Sequence, residues 1–477
     1  MTEILNRKEN IRTFFNNLAS ERKKWVQRNA AFYAADIEYM RFLIPANQRV
    51  LELGCGNGHL LSALNPAIGV GVDFSSNMIE TARSIYPELT FYLGDIEDSI
   101  FISSLEGPYD FIVLSDTIGM MEDIEKTLKN LHQLCTPNTR LIITCHSFFW
   151  NPILKIAEYL NLKMPQIELN WLSLADIDQL LHLSEFEVIR REWKQLLPIN
   201  WFGLGAAINR YFGSLPGVRK LCLRNYLVSR STMVVKEPPT SATVLIPCRN
   251  EKGNIEPAIQ RVPEFCGDIE ILFVEGNSHD GTFEEIERVI DAYPEKNIKA
   301  LKQPGKGKGD AVRTGFDAAS GEVLMILDGD LTVPPEALPN FFHAIATGKG
   351  EFINGSRLIY PMEIEAMRLL NRIANSLFSK ILSWLMGQTV TDTLCGTKVL
   401  SKEQYKKIAK NREYFGDFDP FGDFDLLFGA DKLNLKIIEV PVRYAARTYG
   451  ETQISRFSDG WKLIKMIGVA YRKLRAF

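Results

Sequence analysis

Short apolar runs that end in a polar or acidic residue recur along the chain and alternate with stretches of helical periodicity. Continuous apolar runs of this length suit strands that are buried on both faces of a parallel sheet. In the first half, the predicted strands lie at 49–53, 69–73, 91–96, 109–116, 140–145, 186–193 and 225–235. Strands that alternate with helical patterns predict an α/β fold with a doubly wound sheet.

A second pattern of the same kind follows a short segment that contains two prolines and small polar residues, which is typical of a linker. The sequence therefore predicts two doubly wound α/β domains. Aromatic and apolar residues at helical spacing precede the first domain, and they fit both a structural cap and a lid over a ligand. The predicted organisation is a helical cap at 1–45, an α/β domain at 46–236, a linker at 237–242, a second α/β domain at 243–459 and a basic amphipathic helix at 460–477.

The first predicted strand leads into a loop that contains Gly54, Gly56 and Gly58. A dinucleotide-binding loop would have a glycine three residues after the second of these, where this chain has His59. Glu52, at the end of the strand, would repel a pyrophosphate and attract a cation. A ligand that carries an ammonium and a sulfonium group therefore fits this loop better than a dinucleotide does.

Acidic residues also end the next two strands. Asp73 lies 19 residues after Gly54, where an acid is placed to hold ribose hydroxyls, and Asp95 could accept from an adenine amino group. This ordered set resembles class I S-adenosylmethionine-dependent methyltransferases over roughly residues 45–235. The resemblance implies that S-adenosylmethionine binds at Glu52, Gly54, Gly56, Gly58, Asp73, Asp95, Ile96 and Ser115.

The sequence leaves the methyl acceptor open. Positioning the two reactants could supply much of the rate, because a sulfonium is a strong electrophile. An oxygen acceptor would also need a base, and His146, just past the fifth strand, is the best-placed candidate. A structural role for His146 remains an alternative.

In the second half, the apolar run 323–327 ends in Asp328-Gly329-Asp330. Ligands of open α/β sheets bind at the carboxyl ends of the strands. Two carboxylates two residues apart can bind one hard cation, which usually keeps waters and binds substrate phosphates. Upstream, bare backbone N–H groups of a glycine loop, together with Lys306, can hold a phosphate.

The order Pro247-x-x-Asn-Glu251, Val-Glu275-x-x-Ser-x-Asp-Gly-Thr, Gly-Lys-Gly and Asp-x-Asp is similar to that of inverting glycosyltransferase family 2, which has the GT-A fold. Within that family it most resembles dolichyl-phosphate mannose and glucose synthases, over about residues 242–460. The resemblance implies a nucleotide-sugar donor bound by Pro247, Glu251, Glu275, Lys306 and Asp328, with Mg²⁺ or Mn²⁺ on Asp328 and Asp330. It also implies that Arg357 and Arg372 bind an acceptor phosphate.

The chain departs from the family at two positions, where Gly276 replaces a common acid and Thr332 replaces a common glutamine. The resemblance therefore leaves the nucleobase and the sugar of the donor open. A polyprenyl phosphate is already an anion and can attack unaided. The metal ion, held by Asp330, and Lys306 would then stabilise the negative charge of the leaving group. A hydroxyl acceptor would need a base, for which Asp392 and Asp423 are candidates together with Asp425. The acidic stretch 416–426 fits a solvated turn equally well.

Composition limits the remaining functions. Lysine plus arginine number 55 and aspartate plus glutamate 58, a net charge of −3, which argues against general nucleic-acid binding. Seven scattered cysteines, no signal peptide and no long apolar window favour a cytoplasmic protein without a transmembrane helix. Residues 193–236 contain no acid, which fits contact with an anionic membrane, a cover over a lipid substrate, or packing on the neighbouring domain.

We therefore interpret the chain as two enzymes, one that transfers a sugar to a polyprenyl phosphate or similar lipid and one that methylates a related glycan or lipid, with peripheral contact to the membrane. Two alternatives stay open. The first half could be a non-catalytic cofactor-binding or scaffolding module. The second half could glycosylate a protein or a soluble hydroxyl.

Overall fold

The computed structural model of the protein describes residues 2–167, 170, 172–234, 236–360, 369–414, 422, 424–450 and 456–475, without the side chains of residues 2–6, 201, 369–373 and 456–459. The chain divides into two compact units, Met1–Val235 and Lys236–Phe477. Each unit has its own seven-stranded sheet.

The first unit opens with two helices and continues with alternating strands and helices. Its helices are α1 (Thr2–Arg28), α2 (Ala30–Leu43), α3 (His59–Ala63), α4 (Ser76–Ile85), α5 (Ser99–Ser103), α6 (Ile124–Asn130), α7 (Asn151–Tyr159), α8 (Leu174–Leu183) and α9 (Leu204–Ala207). Its strands are β1 (Arg49–Leu53), β2 (Ile68–Asp73), β3 (Thr90–Leu93), β4 (Phe111–Ser115), β5 (Arg140–His146), β6 (Phe186–Lys194) and β7 (Arg224–Ser231).

The strands of this sheet run in the order β3-β2-β1-β4-β5-β7-β6, with β7 antiparallel to both of its neighbours. This order confirms the predicted doubly wound sheet. The central strands are apolar throughout because helices cover both faces, and Leu51, Leu53, Ile112 and Leu114 are fully buried. Strand order reverses between β1 and β4, so a crevice opens at their carboxyl ends, where ligands of such sheets bind.

The second unit repeats the alternation. Its strands are β8 (Ser241–Cys248), β9 (Asp268–Glu275), β10 (Asn297–Lys302), β11 (Val323–Ile326), β12 (Phe352–Ser356), β13 (Lys398–Ser401) and β14 (Ile437–Pro441). Its helices are α10 (Lys252–Arg261), α11 (Thr282–Ala292), α12 (Lys308–Ala318), α13 (Leu338–Ala346), α14 (Leu369–Met386), α15 (Lys402–Lys410), α16 (Phe424–Lys432) and α17 (Arg456–Leu474).

This second sheet has the order β10-β9-β8-β11-β13-β12-β14, in which β13 is antiparallel to β11 and β12. It therefore has the mixed α/β sheet expected of a GT-A fold. The order reverses between β8 and β11, and Ile326 pairs with Leu245 there. That register brings Asp328 and Asp330, just past β11, alongside the turn that follows β8.

The structure corrects the predicted start and surface of the last helix. Helix α17 begins at Arg456 instead of 460, and Arg475 is buried instead of lying on a solvent-facing basic side. The guanidinium of Arg475 donates to the carbonyl of Trp384, near the end of α14. The pattern of basic and apolar residues along one helix cannot anticipate such a tertiary partner. Across the described residues, we find no helix with the length and apolar character needed to cross a bilayer.

Candidate active sites

The glycine loop after β1 lies tightly against the neighbouring strands. Gly54 and Cys55 donate backbone hydrogen bonds of 2.8 and 3.0 Å to the carbonyl of Val72. Gly54 has a φ of 78°, and a Cβ there would lie 2.3 Å from Oγ1 of Thr117. Both observations require glycine at this position. The sequence-predicted glycines therefore let the loop follow the sheet edge closely.

Asp73, at the end of β2, holds this loop in place. Its Oδ2 accepts from the backbone N–H of Gly56 at 2.8 Å and its Oδ1 from that of Ser75 at 2.9 Å. Burial raises the pKa of Asp73, although these backbone donors partly offset the effect. A carboxylate oxygen can accept more than one hydrogen bond, so Asp73 can still receive ligand hydroxyls.

Glu52 is a buried acid of this site whose hydrogen bonding is incomplete. Its side chain is buried, and Oε2 has no hydrogen-bond partner in the part of the chain that the structure describes. Burial raises the pKa of Glu52 to about 8, although the positive charge of Arg22 on α1 opposes this rise. A buried polar atom without a partner is costly. A ligand cation at this position would remove that cost.

Asp95 and Ile96 follow β3, and Ser115 ends β4. Lys8 on α1 lies 2.8 Å from Oδ2 of Asp95 and 2.6 Å from Oε2 of Glu97, so the first helix covers this part of the sheet edge. Ser115 accepts a hydrogen bond of 3.2 Å from the hydroxyl of Thr144 on β5.

A buried charge network lies beside Ser115. Arg224 donates to Asp116 from Nη1 and to Asp36 on α2 from Nε, the latter at 3.2 Å, and Tyr226 donates to Asp36. Burial by itself would raise the pKa of Asp116, but the charges of Arg224 and His146 more than offset it and hold that pKa well below its usual value. Asp116 is therefore a fixed negative charge.

His146 is held by this network. Its Nδ1 lies 3.1 Å from Oδ1 of Asp116, and its ring stacks on Phe32 with centroids 5.8 Å apart and planes within 6°. Among the described residues, none makes a hydrogen bond to Nε2. A carboxylate on Nδ1 favours the tautomer in which Nε2 accepts a proton, the form that a general base needs.

One cavity of about 540 Å³ is lined by most of the groups described above. Its polar end includes Glu52, Asp73 and Asp95, and its middle includes Asp116 and His146. The remainder is mostly apolar and comes from α1, α2 and α7 and from the loops around residues 160–167 and 197–199. The structure therefore brings together Glu52, Gly54, Gly56, Asp73, Asp95, Ile96, Ser115 and His146.

In the second unit, Asp328 lies against two other elements. Nζ of Lys308, the first residue of α12, lies 2.6 Å from its Oδ1. Burial would raise the pKa of Asp328, but Lys308, Arg357 and Lys398 more than offset it and hold that pKa below its usual value. A Cβ on Gly396 would lie 2.0 Å from Oδ2 of Asp328, so only glycine leaves room for the carboxylate here.

Asp330 and Glu251 share one partner. Arg447, in the segment after β14, donates to Oδ2 of Asp330 at 2.7 Å and to Oε1 of Glu251 at 3.0 Å. Asp330 also accepts from the hydroxyl of Thr332 at 2.8 Å through Oδ1. Glu251 in turn accepts from the amide of Asn254 at 2.6 Å.

The other predicted donor-binding residues lie on the same strand ends. Glu275 ends β9, is buried, and accepts from the backbone N–H of Ser278. Pro247 lies near the end of β8, and its carbonyl would be 2.9 Å from a Cβ on Gly329. Lys306 is exposed in the loop before α12, whereas Lys308, which sequence analysis did not select, contacts Asp328.

Arg357 and Asp392 form a bidentate ion pair. Nε and Nη2 of Arg357 donate to the two carboxylate oxygens of Asp392 at 2.7 and 2.8 Å, and Asn375 adds a bond of 2.8 Å. Asp392 is fully buried, which by itself would raise its pKa. Arg357 and Asn375 more than offset this effect and hold the pKa of Asp392 below its usual value. Such a carboxylate is a poor proton acceptor, so this geometry suits the positioning of Arg357 better than the base role predicted for Asp392.

Two predicted site residues lie outside the described part of the structure. These are Asp423 and, although α14 contains its backbone, the side chain of Arg372. Asp425, the neighbouring alternative base, is paired with Arg412 at 2.6 Å.

Comparison with known proteins identifies both halves. The family model for a methyltransferase domain matches residues 25–191, and that for glycosyl transferase family 2 matches residues 243–408. A dolichyl-phosphate hexose transferase of Haloferax volcanii is 30% identical over 215 residues, which cover 45% of this chain and 86% of that protein. The second half of the chain belongs to glycosyl transferase family 2.

Other relatives of this glycosyltransferase half are longer than the region they share. A dolichol-phosphate mannosyltransferase of Pyrococcus furiosus is 29% identical over 44% of this chain. A low-salt glycan biosynthesis hexosyltransferase of Haloferax volcanii is 26% identical over 47% of it. The chain spans 58% and 52%, respectively, of the lengths of these two proteins.

Solved structures match each half separately. For the methyltransferase half, a possible histamine N-methyltransferase from Thermotoga maritima is 17% identical, with a TM-score of 0.36, over 46% of this chain and all of that one. For the glycosyltransferase half, glucosyl-3-phosphoglycerate synthase from Mycobacterium tuberculosis, in complex with Mn²⁺ and UDP, is 18% identical with a TM-score of 0.36. That match covers 49% of this chain and 80% of the synthase.

The methyltransferase half has groups that fit S-adenosylmethionine. The unpartnered Oε2 of Glu52 can accept from an ammonium, and Asp73 can accept from ribose hydroxyls. Arg22 lies over the glycine loop, because a Cβ on Gly56 would be 3.2 Å from its Nε, and its guanidinium suits a carboxylate. These donors and acceptors complement the charges of that cofactor.

The glycosyltransferase half has donors that fit a hard divalent cation. Asp328 and Asp330 are both partly exposed, and carboxylate oxygens are the ligands that Mg²⁺ and Mn²⁺ prefer. The described residues contain no group of three or more acid, histidine or cysteine ligands. Two carboxylates suit a cation that completes its coordination with water and donor phosphates.

Several residues of the candidate sites come from outside the strand ends and could not be predicted from the sequence. Lys8, Arg22, Phe32 and Asp36 lie on α1 and α2, where periodicity predicted helices but could not show which face meets the sheet. Arg447 lies in an irregular segment without a periodic signal. Its position depends on tertiary contacts with Glu251 and Asp330.

Proposed function

We propose that the glycosyltransferase half transfers a sugar from a nucleotide-sugar donor to a polyprenyl phosphate. The observation that carries this proposal is the cluster formed by Asp328, Asp330, Lys308 and Arg447 at the β8–β11 crevice. The two acids would hold Mg²⁺ or Mn²⁺, which would supply positive charge for the leaving diphosphate. Lys308 and Arg447 would then be released from the acids and could pair with donor phosphates.

The acceptor class follows from Arg357 and from the relatives. Asp392 and Asn375 fix the guanidinium of Arg357, which is mostly buried and suits a phosphate. Asp392 is already fully paired and buried, so it offers no base for a hydroxyl acceptor. Three of the relatives are named for dolichol-phosphate or dolichyl-phosphate sugar transfer, which supports a phosphate that needs no base.

We propose that the methyltransferase half transfers a methyl group from S-adenosylmethionine to a glycan or lipid of the same pathway. The buried, unpartnered Glu52 supports the binding of a cationic cofactor. The His146–Asp116 pair supports an active enzyme over a scaffolding module, because a scaffold has no use for an oriented base. The bifunctional assignment follows from both sites being built on one chain.

Transfer of labelled sugar from a panel of nucleotide sugars, with and without a polyprenyl phosphate, tests this function. We expect transfer to the lipid extract that requires both a divalent cation and the lipid phosphate. Asp330→Asn should lower transfer by at least about 100-fold, because one cation ligand and its charge are lost, and should leave S-adenosylmethionine affinity unchanged. Asp291→Asn, which changes an exposed acid on α11, is the control. Full transfer by Asp330→Asn would refute the metal assignment, and transfer without lipid would refute the acceptor class.

A further inference from the structure

The apolar end of the methyltransferase cavity opens directly to solvent. Five apolar side chains both line the cavity and are more than half exposed, and we call them the apolar rim: Ile153, Ile156, Leu160, Leu162 and Ile199. Three of them lie on or just after α7, a nine-residue helix that has no buried residue. A helix in a folded domain is normally stabilised by burying its apolar face, so this one lacks its usual cover.

Further large apolar residues extend the rim outward. Phe149 and Tyr159 are 77% and 87% exposed, and Phe202, three residues after Ile199, is fully exposed. The two segments that contribute them line the same cavity, through Ile153 and Ile156 in the first and Ile199 in the second. Contiguous exposed apolar patches are uncommon on soluble monomers and usually mark an interaction site.

The charged residues of the segments that form the rim are mostly basic. Residues 193–236 contain no acid, and Arg210 and Lys220 are exposed there, as is Lys155 on α7. The acid of α7, Glu158, accepts from the backbone N–H of Gln166 and lies 3.9 Å from Lys163. An apolar surface with basic residues complements the anionic headgroups and acyl chains of a membrane.

The middle of the same cavity has the chemistry for an oxygen acceptor. His146, oriented by Asp116 and stacked on Phe32, lines the cavity together with the cofactor acids and the apolar wall. A group that bound along the wall would therefore place its polar end beside His146. A hydroxyl suits this position, because it must lose a proton when it is methylated.

We infer that the methyltransferase half takes its acceptor from a membrane surface, and that this acceptor is a lipid with a long hydrocarbon chain and a hydroxyl head. The inference rests on the proposed methyltransferase function and narrows its substrate class. The chain lies along the apolar rim, and the hydroxyl reaches His146. The acceptor oxygen bonds to the methyl carbon as the carbon–sulfur bond breaks, the electron pair stays on sulfur, and the hydroxyl proton passes to Nε2 of His146.

Two variants of the full chain test this inference. The rim variant carries Ile156→Asn and Ile199→Asn, both at exposed positions. The control variant carries Ile85→Asn and Ile100→Asn, which are exposed apolar residues of the same unit outside the cavity. Because both variants exchange two exposed isoleucines for asparagines, loss of general surface hydrophobicity affects them equally.

The first measurement is cosedimentation with phosphatidylcholine vesicles that contain one-fifth phosphatidylglycerol. The second is saturable binding of a fluorescent twelve-carbon alcohol, with a four-carbon alcohol as competitor, in the presence of S-adenosylhomocysteine. We expect the rim variant to bind both vesicles and the long alcohol about tenfold more weakly than the native chain, since two apolar contacts are lost. The control variant should match the native chain, and the short alcohol should not compete.

Calorimetry with S-adenosylmethionine distinguishes failure of the proposed methyltransferase function from failure of the proposed lipid acceptor. If the cofactor does not bind, the proposed methyltransferase function fails. If it binds, but the rim variant retains native affinity for vesicles and the long alcohol, the lipid acceptor is refuted and the methyltransferase function stands. If the native chain is instead a dimer that the rim variant dissociates, without change in lipid binding, the rim is a protein interface and the inference is overturned.

Discussion

Arg447 donates a hydrogen bond of 2.7 Å to Oδ2 of Asp330, one of the two acids proposed to hold a divalent cation. Its other terminal nitrogen lies 3.0 Å from Glu251, so one guanidinium pairs with two carboxylates of the proposed donor site. A cation that binds Asp330 must therefore displace this arginine or share its acid. The contact links the segment after β14 to the state of the donor site.

We expect Arg447→Gln to bind Mn²⁺ about threefold to tenfold more tightly than the native chain when no nucleotide is present. A hydrogen bond to a charged group is worth about 1.5–3 kcal/mol, and partial exposure reduces that value here. Calorimetric titration with Mn²⁺ measures the change. Arg443→Gln, an exposed arginine of the same segment that lies over the ring of Tyr360, is the matched control. Weaker Mn²⁺ binding by Arg447→Gln would show that the arginine supports the cation instead of competing with it.

The strands and the acids at their ends can be predicted from the sequence, whereas the side chains that reach the strand ends from other elements cannot. The strands were found because residues such as Leu51 and Leu324 belong to apolar runs, and their burial on both faces leaves no room for polar side chains. Asp73 and Asp328 were found because a polar residue after such a run must lie at the sheet edge. Arg22 and Arg447 could not be found, since neither local pattern nor spacing encodes which distant loop an arginine reaches.

The buried carboxyl of Glu52 predicts proton release when the cofactor binds. Burial raises its pKa to about 8, so it is largely protonated in the ligand-free protein at pH 7. A cationic ligand beside it favours the ionised form. We expect S-adenosylmethionine binding at pH 7 to release close to one proton more in the native chain than in Glu52→Gln. Calorimetry in two buffers of different ionisation enthalpy counts these protons.

The raised pKa of Glu52 also predicts the direction in which the stability of the methyltransferase half changes with pH. Because the folded pKa of Glu52 lies above its ordinary value of 4.5, the folded state binds the extra proton, and the stability of the ligand-free methyltransferase half falls as pH rises from about 4.5 to about 8. Glu52→Gln should unfold at a less pH-dependent temperature across this range, whereas Glu80→Gln, at an exposed position on α4, should behave as the native chain does. Identical pH profiles for all three proteins would contradict the assigned environment of Glu52.

The pair formed by Arg357 and Asp392 predicts different effects for a positioning role and for a general base. Asp392→Asn leaves a mostly buried guanidinium without its counter-charge, which should lower the free energy of unfolding of the glycosyltransferase half by about 3–5 kcal/mol. We also expect a raised KM for the lipid phosphate. The double variant Arg357→Gln with Asp392→Asn should recover much of the stability, because the unpaired charge is gone, but not the transfer activity. A fall in kcat with native stability and native KM would instead identify Asp392 as a base.

The close packing of Gly396 against Asp328 gives a test of the geometry of the proposed metal site. A Cβ on Gly396 would lie 2.0 Å from Oδ2 of Asp328 and 2.5 Å from Nζ of Lys308, so Gly396→Ala must push the carboxylate and the ammonium away from their positions. We expect Gly396→Ala to lose most sugar transfer and to weaken Mn²⁺ binding at least about tenfold, since a cation site tolerates only small displacements of its ligands. Gly468→Ala is the control, because a Cβ there meets no atom within 4 Å. Both variants should still show a cooperative unfolding transition of the second unit, which contains Gly396 and Gly468, so that a folded protein is compared in each case. Native Mn²⁺ binding by a folded Gly396→Ala protein would mean that the cation does not depend on Asp328, and the proposed donor site would have to lie elsewhere.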